Sequence, residues 1–391
     1  MDNSGIITDS HASAELGTMA RYAQGKNALV AQGGGQRGIF TAGVLDAFIL
    51  SNFDPFDAFY GTSAGVLNLC AFLCRQNGLG RAFIIELTTS SEFFNLFSYI
   101  RHKQFLGLDW AMERICDYPY RLDVDLGRRA LGDRTAMAAV TDNQSLKDHY
   151  LPMLQDDWLE VAIASCAIPR LYKGPITLSG KEYIDGGVSA SIPVQEAWRD
   201  NARFIAVIRT ESQGVGPAPL ELDLANKKMQ PDVQSELDWF NSTFNTLSTQ
   251  WQLRLGRWKS DWNNFIYQQI MRSKEQKHDH DHVEEINGGR WLFGAHDIYR
   301  LSHLVGDKFD SHLLDMLMVH YQTYSLTSDF LASPPDDCFV AQIMPAEPLK
   351  SSSLLSSKED LLHDYQLGLD AGYRFIDTYN QAQSTLIKTG S

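Results

Sequence analysis

Two neighbouring stretches decide the fold: Ala28-Leu29-Val30-Ala31-Gln32-Gly33-Gly34-Gly35-Gln36-Arg37-Gly38 and, further on, Phe56-Asp57-Ala58-Phe59-Tyr60-Gly61-Thr62-Ser63-Ala64-Gly65. The run Ala28–Ala31 is apolar, short, and broken off by glycines, as a buried strand is. Beyond it Phe40, Val44, Ala47 and Phe48 recur at i, i+4, i+7 and i+8, one face of a helix. A second strand over Phe56–Tyr60 ends in Gly61-Thr62-Ser63-Ala64-Gly65. Val66, Leu69, Cys70, Leu73 and Cys74 then mark another helix face, closed near Asn77-Gly78. Strand, glycine loop, helix, strand, tight turn, helix is the opening of a parallel α/β sheet.

Working outward, Thr135–Val140 reads as a buried strand and Trp158–Ala167 as a helix stopped by Pro169. Ile176–Leu178 and Lys181–Ile184 flank Ser179-Gly180, a two-residue hairpin loop, and the hairpin ends in Asp185-Gly186-Gly187. A helix follows with Pro193 in its first turn. Phe204–Ile208 is a central parallel strand by its unbroken apolar run. Residues 211–235 have a linker's composition. From Phe240 to Phe265 aromatic and leucine side chains return every three or four residues, so 239–268 reads as an amphipathic helix. The polar loop His278–His282 interrupts it. Phe339–Met344 resembles one more strand and Leu361–Phe375 one more helix. The expected organisation is a polar tail over 1–27, an α/β unit over 28–210 and a mainly helical extension over 211–335. A strand and helix over 336–380 return to the core, and a tail over 381–391 ends the chain.

Composition narrows the function. Lys and Arg number 34 against 48 Asp and Glu, a net charge of −14. Binding to nucleic acid, which needs a basic surface, is therefore not expected. Five scattered cysteines make no disulfide framework, and no Cys-x-x-Cys pair suggests a zinc site. Residues 1–27 lack the apolar core of a secretory signal, and no run of about 18 apolar residues could span a bilayer. The expectation is a cytoplasmic protein, with peripheral contact at the inner membrane face as an option for the aromatic helix, where Arg254, Arg257 and Lys259 supply local positive charge. Core packing of that helix is the plainer reading.

Three motifs carry the chemistry. Gly33, Gly35 and Gly38 fit the G-x-G-x-x-G dinucleotide fingerprint, with Asp54 or Asp57 as the downstream acid. The same glycine-lined turn before a helix also aims backbone N–H groups at one point, which suits the oxyanion of acyl transfer. Four glycines in six residues exceed what a plain turn needs. Gly61-Thr62-Ser63-Ala64-Gly65, between strand and helix, is the setting of a nucleophile elbow, with Ser63 on a strained turn and glycines where side chains would collide. Ser63 needs a base. Asp185, at a strand end, can meet it at the sheet edge where parallel strands finish. Alone, Asp185-Gly186-Gly187 would read as an Asx turn. Histidine is the rival, since eight of eleven follow Asp185. However, His303, His312 and His320 fall in helices and read as surface or packing residues. An α/β-hydrolase places its elbow after several strands, whereas here one strand-loop-helix unit precedes it. His278–His282 reads as a solvated loop before a metal site, and Cys166 as a small core residue before a nucleophile.

Together Gly33-Gly34-Gly35-Gln36-Arg37-Gly38, Gly61-Thr62-Ser63-Ala64-Gly65 and Asp185-Gly186-Gly187, in that order, resemble the patatin-like phospholipases. Ala164-Ser165-Cys166-Ala167-Ile168-Pro169 looks like the family's segment ahead of the aspartate. The resemblance covers about residues 28–210. It implies a three-layer α/β/α core with a mostly parallel sheet, plus a helical C-terminal extension. It further implies a lipid acyl hydrolase with Ser63 as nucleophile, Asp185 as proton acceptor, glycine-loop amides as the oxyanion hole, and neither metal nor cofactor. The expected oxyanion donors lie around Gly34, Gly35 and Gln36. Arg37 is expected to fix the loop in preference to touching a phosphate headgroup. The alternative kept open is a non-catalytic lipid- or nucleotide-binding module.

Overall fold

The computed structural model describes residues 9–94, 106–212, 285–286, 289–290 and 311–389. In chain order the elements are α1 (Asp9–Tyr22), β1 (Asn27–Ala31), α2 (Gly38–Leu50), β2 (Ala58–Thr62), α3 (Ala64–Leu73), α4 (Leu79–Ala82), α5 (Leu108–Arg114), α6 (Val124–Leu131), β3 (Thr135–Asp142) and β4 (Asp148–Pro152). They continue with α7 (Trp158–Cys166), β5 (Ile176–Leu178), β6 (Lys181–Asp185), α8 (Val194–Arg199), β7 (Phe204–Ile208), α9 (Ser311–Ala332), β8 (Phe339–Ile343) and α10 (Lys358–Thr389). Residues 285–286 and 289–290 pair as a separate small ladder.

The sheet runs β8-β7-β1-β2-β3-β6-β5, with β4 also on β3. The five strands from β8 to β3 are mutually parallel, while β4, β5 and β6 run antiparallel to their neighbours. Every residue of β1, β2 and β7 is buried. Such strands need cover on both faces, and alternation divides them. Leu29, Ala31, Phe59, Phe204 and Ala206 face a layer holding Phe40, Phe48, Phe72 and Phe375 from α2, α3 and α10. Ala28, Val30, Ala58, Tyr60, Ile205 and Val207 face Val194, Ala197, Tyr324 and Leu331 from α8 and α9. The fold is the three-layer α/β architecture, with a mostly parallel sheet, that the sequence implies.

Helix α2 is apolar on nearly every face, Thr41 and Asp46 apart, because it is covered on both sides. The sheet lies beneath and α10 crosses above, so close that a Cβ on Gly43 would stand 2.3 Å from the Tyr365 carbonyl oxygen. Phe375 and Tyr379 of α10 then pack on Phe48 and Phe53, with ring centroids 5.8 and 5.2 Å apart.

Several boundaries differ from expectation. Residues 1–27 were expected to be a loose tail, yet Asp9–Tyr22 is helical, with Met19 and Ala20 buried. Its inner face is made of Leu16, Met19, Ala20 and Ala23, too small and mixed to stand out against polar neighbours. It is α10 and the sheet edge that give this face something to bury against. At the other end the expected tail from 381 is part of α10, which runs to Thr389 with Ala382 fully buried. Strand β2 begins two residues later than expected because its register is set by β1, Ala28 to Ala58 through Ala31 to Gly61. Strand β4, Asp-His-Tyr-Leu-Pro, is missing from the sequence reading because it is half-exposed and lacks a continuous apolar run. The linker-like stretch beyond residue 212, the aromatic stretch 239–268, His278–His282 and His303 lie outside the described residues.

Candidate active site

Strand register brings Ser63 and Asp185 together. Strand β2 pairs with β3 up to Thr62 opposite Ala139, then leaves the sheet at Ser63. The next position on β3, Val140, pairs with Asp185 of β6. The far edge of β3 is already taken by β4 over residues 137–141. Strand β6 therefore occupies the edge that β2 vacates, and Asp185 stands just past the end of β2. Two residues distant in sequence become neighbours along one strand edge.

Ser63 has φ 52 and ψ −123, a conformation L residues rarely adopt and one that turns the hydroxyl out of the turn. The flanking glycine is required by space: a Cβ on Gly65 would lie 2.5 Å from the Ala31 carbonyl oxygen. The strained amide is anchored by a buried serine. Ser63 N–H donates to Ser165 Oγ at 2.9 Å, and Ser165 Oγ donates to the Ala139 carbonyl at 2.6 Å. Ser165 belongs to the 164–169 segment singled out in sequence, but its anchoring role was not legible there.

Asp185 is buried and accepts Gly187 N–H at 2.6 Å, with the Ser63 hydroxyl close by. Desolvation pushes its carboxyl up to about 7, although the Gly187 N–H and the nearby Ser63 hydroxyl favour the charged form. That is close to neutrality, where a general base works best. Cys166 lies near the same hydroxyl. Burial first, and then the Asp185 charge, push its thiol far up, so it stays a neutral thiol.

The glycine loop is only partly available. Gly33 N–H donates to the Ser191 carbonyl at 3.1 Å, Arg37 N–H to that of Gly34 at 3.2 Å, and Gly38 N–H back into its own turn. Gln36 N–H, expected among the oxyanion donors, is committed to the Ser353 carbonyl at 2.9 Å. What remains of Gly33-Gly34-Gly35-Gln36-Arg37-Gly38 for a developing anion is the amides of Gly34 and Gly35, with Gly35 at φ 56. Gln36 is a tie between regions. Its side chain donates to Thr88 O and Oγ1 at 3.1 and 3.0 Å, and its Oε1 accepts Ser356 N–H at 2.8 Å. Arg37 faces inward, 3.9 Å from the buried carboxylate of Glu211. Glu211 also takes Arg209 at 3.6 Å and the Tyr324 hydroxyl. This agrees with a loop-fixing arginine.

The dinucleotide reading fails on geometry. Asp57 Oδ2 accepts Asn27 N–H at 2.8 Å, and Asp54 is paired with Arg75 and Arg134. Both acids sit where β1 and β2 begin, while the glycine loop follows the end of β1. They therefore lie at the opposite end of the strands from the loop they would have to serve.

Beside Ser63 is a cavity of about 70 Å³, lined by Leu67, Cys70, Phe83, Ile84, Leu108, Ile115, Leu122, Trp158 and Ile168, and by Gly35 and Gln36 at the loop end. Ser353 and Leu354 close it from the C-terminal region. The turn that carries them is fastened by Asp364, whose carboxylate accepts Lys350 N–H, Ser351 N–H and Ser351 Oγ–H at 3.1, 2.7 and 2.6 Å.

His320, read in sequence as surface or packing, is buried with Nδ1 2.7 Å from the Gly187 carbonyl oxygen. His312 lies on the same helix, α9. No group of three His, Cys, Asp or Glu among the described residues is placed to hold a metal ion. No helix among them is long and apolar enough to cross a membrane.

The C-terminal region, residues 310–384, matches a domain of unknown function (DUF6363). An uncharacterized protein of Escherichia coli K12, YjjU, is 31% identical over 358 residues, which cover 91% of this chain and 79% of the relative. The crystal structure of VipD from Legionella pneumophila aligns with 91% of this chain and 67% of its own, at 12% identity and a TM-score of 0.32, too loose a match to carry an argument. Residues 29–198, which hold the glycine loop, Ser63 and Asp185, match the family described as patatin-like phospholipase, and the chain belongs to that family.

Proposed function

We propose that this protein is a serine lipid acyl hydrolase that cleaves carboxylic esters through a Ser63–Asp185 dyad and an acyl-enzyme. Family membership supports a lipid acyl hydrolase in general terms. The observation that carries the finer reading is the strand register that sets Ser63, at the edge of an apolar cavity, beside the buried carboxylate of Asp185.

In the proposed reaction Asp185 takes the Ser63 proton as Oγ attacks the ester carbonyl carbon. The oxyanion forms against the Gly34 and Gly35 amides, each worth about 3 kcal/mol if it behaves like other oxyanion donors. Collapse breaks the carbon–oxygen bond, and the leaving alcohol takes the proton from Asp185. Water then gives its proton to Asp185 and attacks the acyl-serine. Collapse of that second intermediate frees the acid and returns the proton to Ser63. Because the base must be ionised, kcat/KM rises with pH through about 7. The cavity, about 70 Å³, is roughly half the ~150 Å³ that holds a benzene ring in an engineered apolar cavity. A short acyl group suits it, and longer chains require the Ser353–Leu354 turn to move aside.

Hydrolysis of p-nitrophenyl butyrate by wild type and Asp185→Asn tests the dyad. The variant is expected to lose on the order of 10⁴-fold in kcat, as loss of a triad aspartate does, while keeping its fold. Near-normal turnover in a folded Asp185→Asn protein would sink Asp185 as the base. Stoichiometric lipid binding with no turnover in wild type would favour a binding module instead.

A further inference from the structure

All the reacting groups lie between Gly33 and Asp185, yet Asp185 is not held by that segment alone. Its carboxylate depends on Gly187 N–H at 2.6 Å, and a Cβ at position 187 would stand 2.8 Å from Asp185 Oδ1. A side chain there would push the carboxylate out of place, and the glycine that avoids this brings backbone freedom that something has to restrain. Gly186 lies against β3, where an added Cβ would stand 2.2 Å from the Ala139 carbonyl oxygen. Gly187 is restrained from outside. His320 of α9 places Nδ1 2.7 Å from its carbonyl oxygen. On the preceding turn of α9, Met316 and Val319 pack with Ile184 and Val188, on either side of the same bend. A carbonyl can only accept, so Nδ1 carries the proton.

We propose that His320 is a positioning residue for Asp185: by pinning the Gly187 carbonyl it keeps the Gly187 N–H on the carboxylate. This gives the C-terminal region of unknown function a direct part in the site, and it rests on the dyad reading above. Asp185 is faced by the Ser63 hydroxyl and by the Cys166 thiol at the end of α7. His320 is faced along its own helix by Tyr324, with rings 6.2 Å apart, and beyond Tyr324 by Glu211 and Arg209.

Full-length His320→Ala and His320→Asn proteins, assayed on p-nitrophenyl butyrate across pH values either side of neutrality, test this. The asparagine amide N–H can stand where Nδ1–H stood. His320→Ala is expected to lower kcat roughly 10- to 100-fold with KM little changed. It should also move the acidic limb of kcat/KM to higher pH, since the Gly187 hydrogen bond favours the charged carboxylate. His320→Asn should restore both. A folded His320→Ala protein with lower Tm but an unmoved acidic limb overturns the proposal, as does a folded His320→Asn protein whose limb shifts far from wild type. The second outcome decides the matter even if the alanine variant does not fold. The pH dependence of fluorophosphonate labelling at Ser63 gives the same readout without turnover. Retained activity in Asp185→Asn counts against the dyad and is a separate result.

Discussion

The segment matching the patatin-like family and the C-terminal region past residue 310 do different work at one site. The first carries the hydroxyl, the carboxylate and the free amides. The second carries none of these, yet it touches each movable part. His320 meets the Asp185-Gly186-Gly187 turn, and Ser353 and Ser356 hold Gln36 of the glycine loop. Leu354 closes the cavity, and α10 covers α2, the helix that the glycine loop opens. The proposed reacting groups are local to short motifs, whereas the contacts that brace the glycine-rich loops come from far along the chain. Glycine makes this division necessary: residues small enough to let a backbone approach a substrate do not hold that backbone still.

Three stability measurements sharpen or break the contrast. The largest effect belongs to the reacting segment. Asp185 is raised from 3.8 to about 7 by burial, so the folded state prefers it protonated. The resulting penalty is absent below the unfolded value, grows as pH rises, and is complete above about 7, where it is on the order of 4 kcal/mol at most. Asp185→Asn should therefore be more stable than wild type in mildly alkaline buffer and show no such gain in strong acid. Equal urea midpoints at both pH values would mean that the carboxylate is not desolvated. The second effect lies in the C-terminal region. Asp364→Ala leaves two backbone amides and a hydroxyl without their buried acceptor, and should cost roughly 3 kcal/mol. An unchanged Tm would show that the Ser351–Ser357 turn is not fastened there. The smallest is the tie between the two regions. Gln36→Ala removes the bonds to Thr88 and Ser356 and should lower stability by about 1 to 2 kcal/mol. Its labelling rate at Ser63 should change as well, because the loop it braces carries the amides proposed for the oxyanion. A Tm shift with wild-type labelling would separate bracing from chemistry.

The contrast also explains what could be read from sequence. Strands β1, β2, β3 and β7 were legible because burial on both faces leaves a continuous apolar run. The Ser179-Gly180 hairpin was legible because that turn needs positive φ at both residues, and it has 50 and 79. Ser63 and Asp185 were legible as motif residues. That they share one edge of β3 was not, because it depends on β6 taking the place β2 leaves. Helix α1 does not show in the sequence for want of large apolar side chains, and the contact of His320 with Gly187, 133 residues away, does not show because nothing in its neighbours signals it. Gln36 was misassigned for the same kind of reason. Its amide is a donor in any strand-to-helix loop, and only the path of the chain near Ser353 reveals the acceptor.

The most direct test of the central claim is to map the covalent adduct of a fluorophosphonate probe by peptide mass spectrometry in wild type, Ser63→Ala and Asp185→Asn. The dyad predicts a single adduct on Ser63 in wild type, formed faster as pH rises through about 7, none in Ser63→Ala, and slow formation in Asp185→Asn. An adduct on another residue, or labelling at Ser63 that is indifferent to both pH and Asp185, would contradict it.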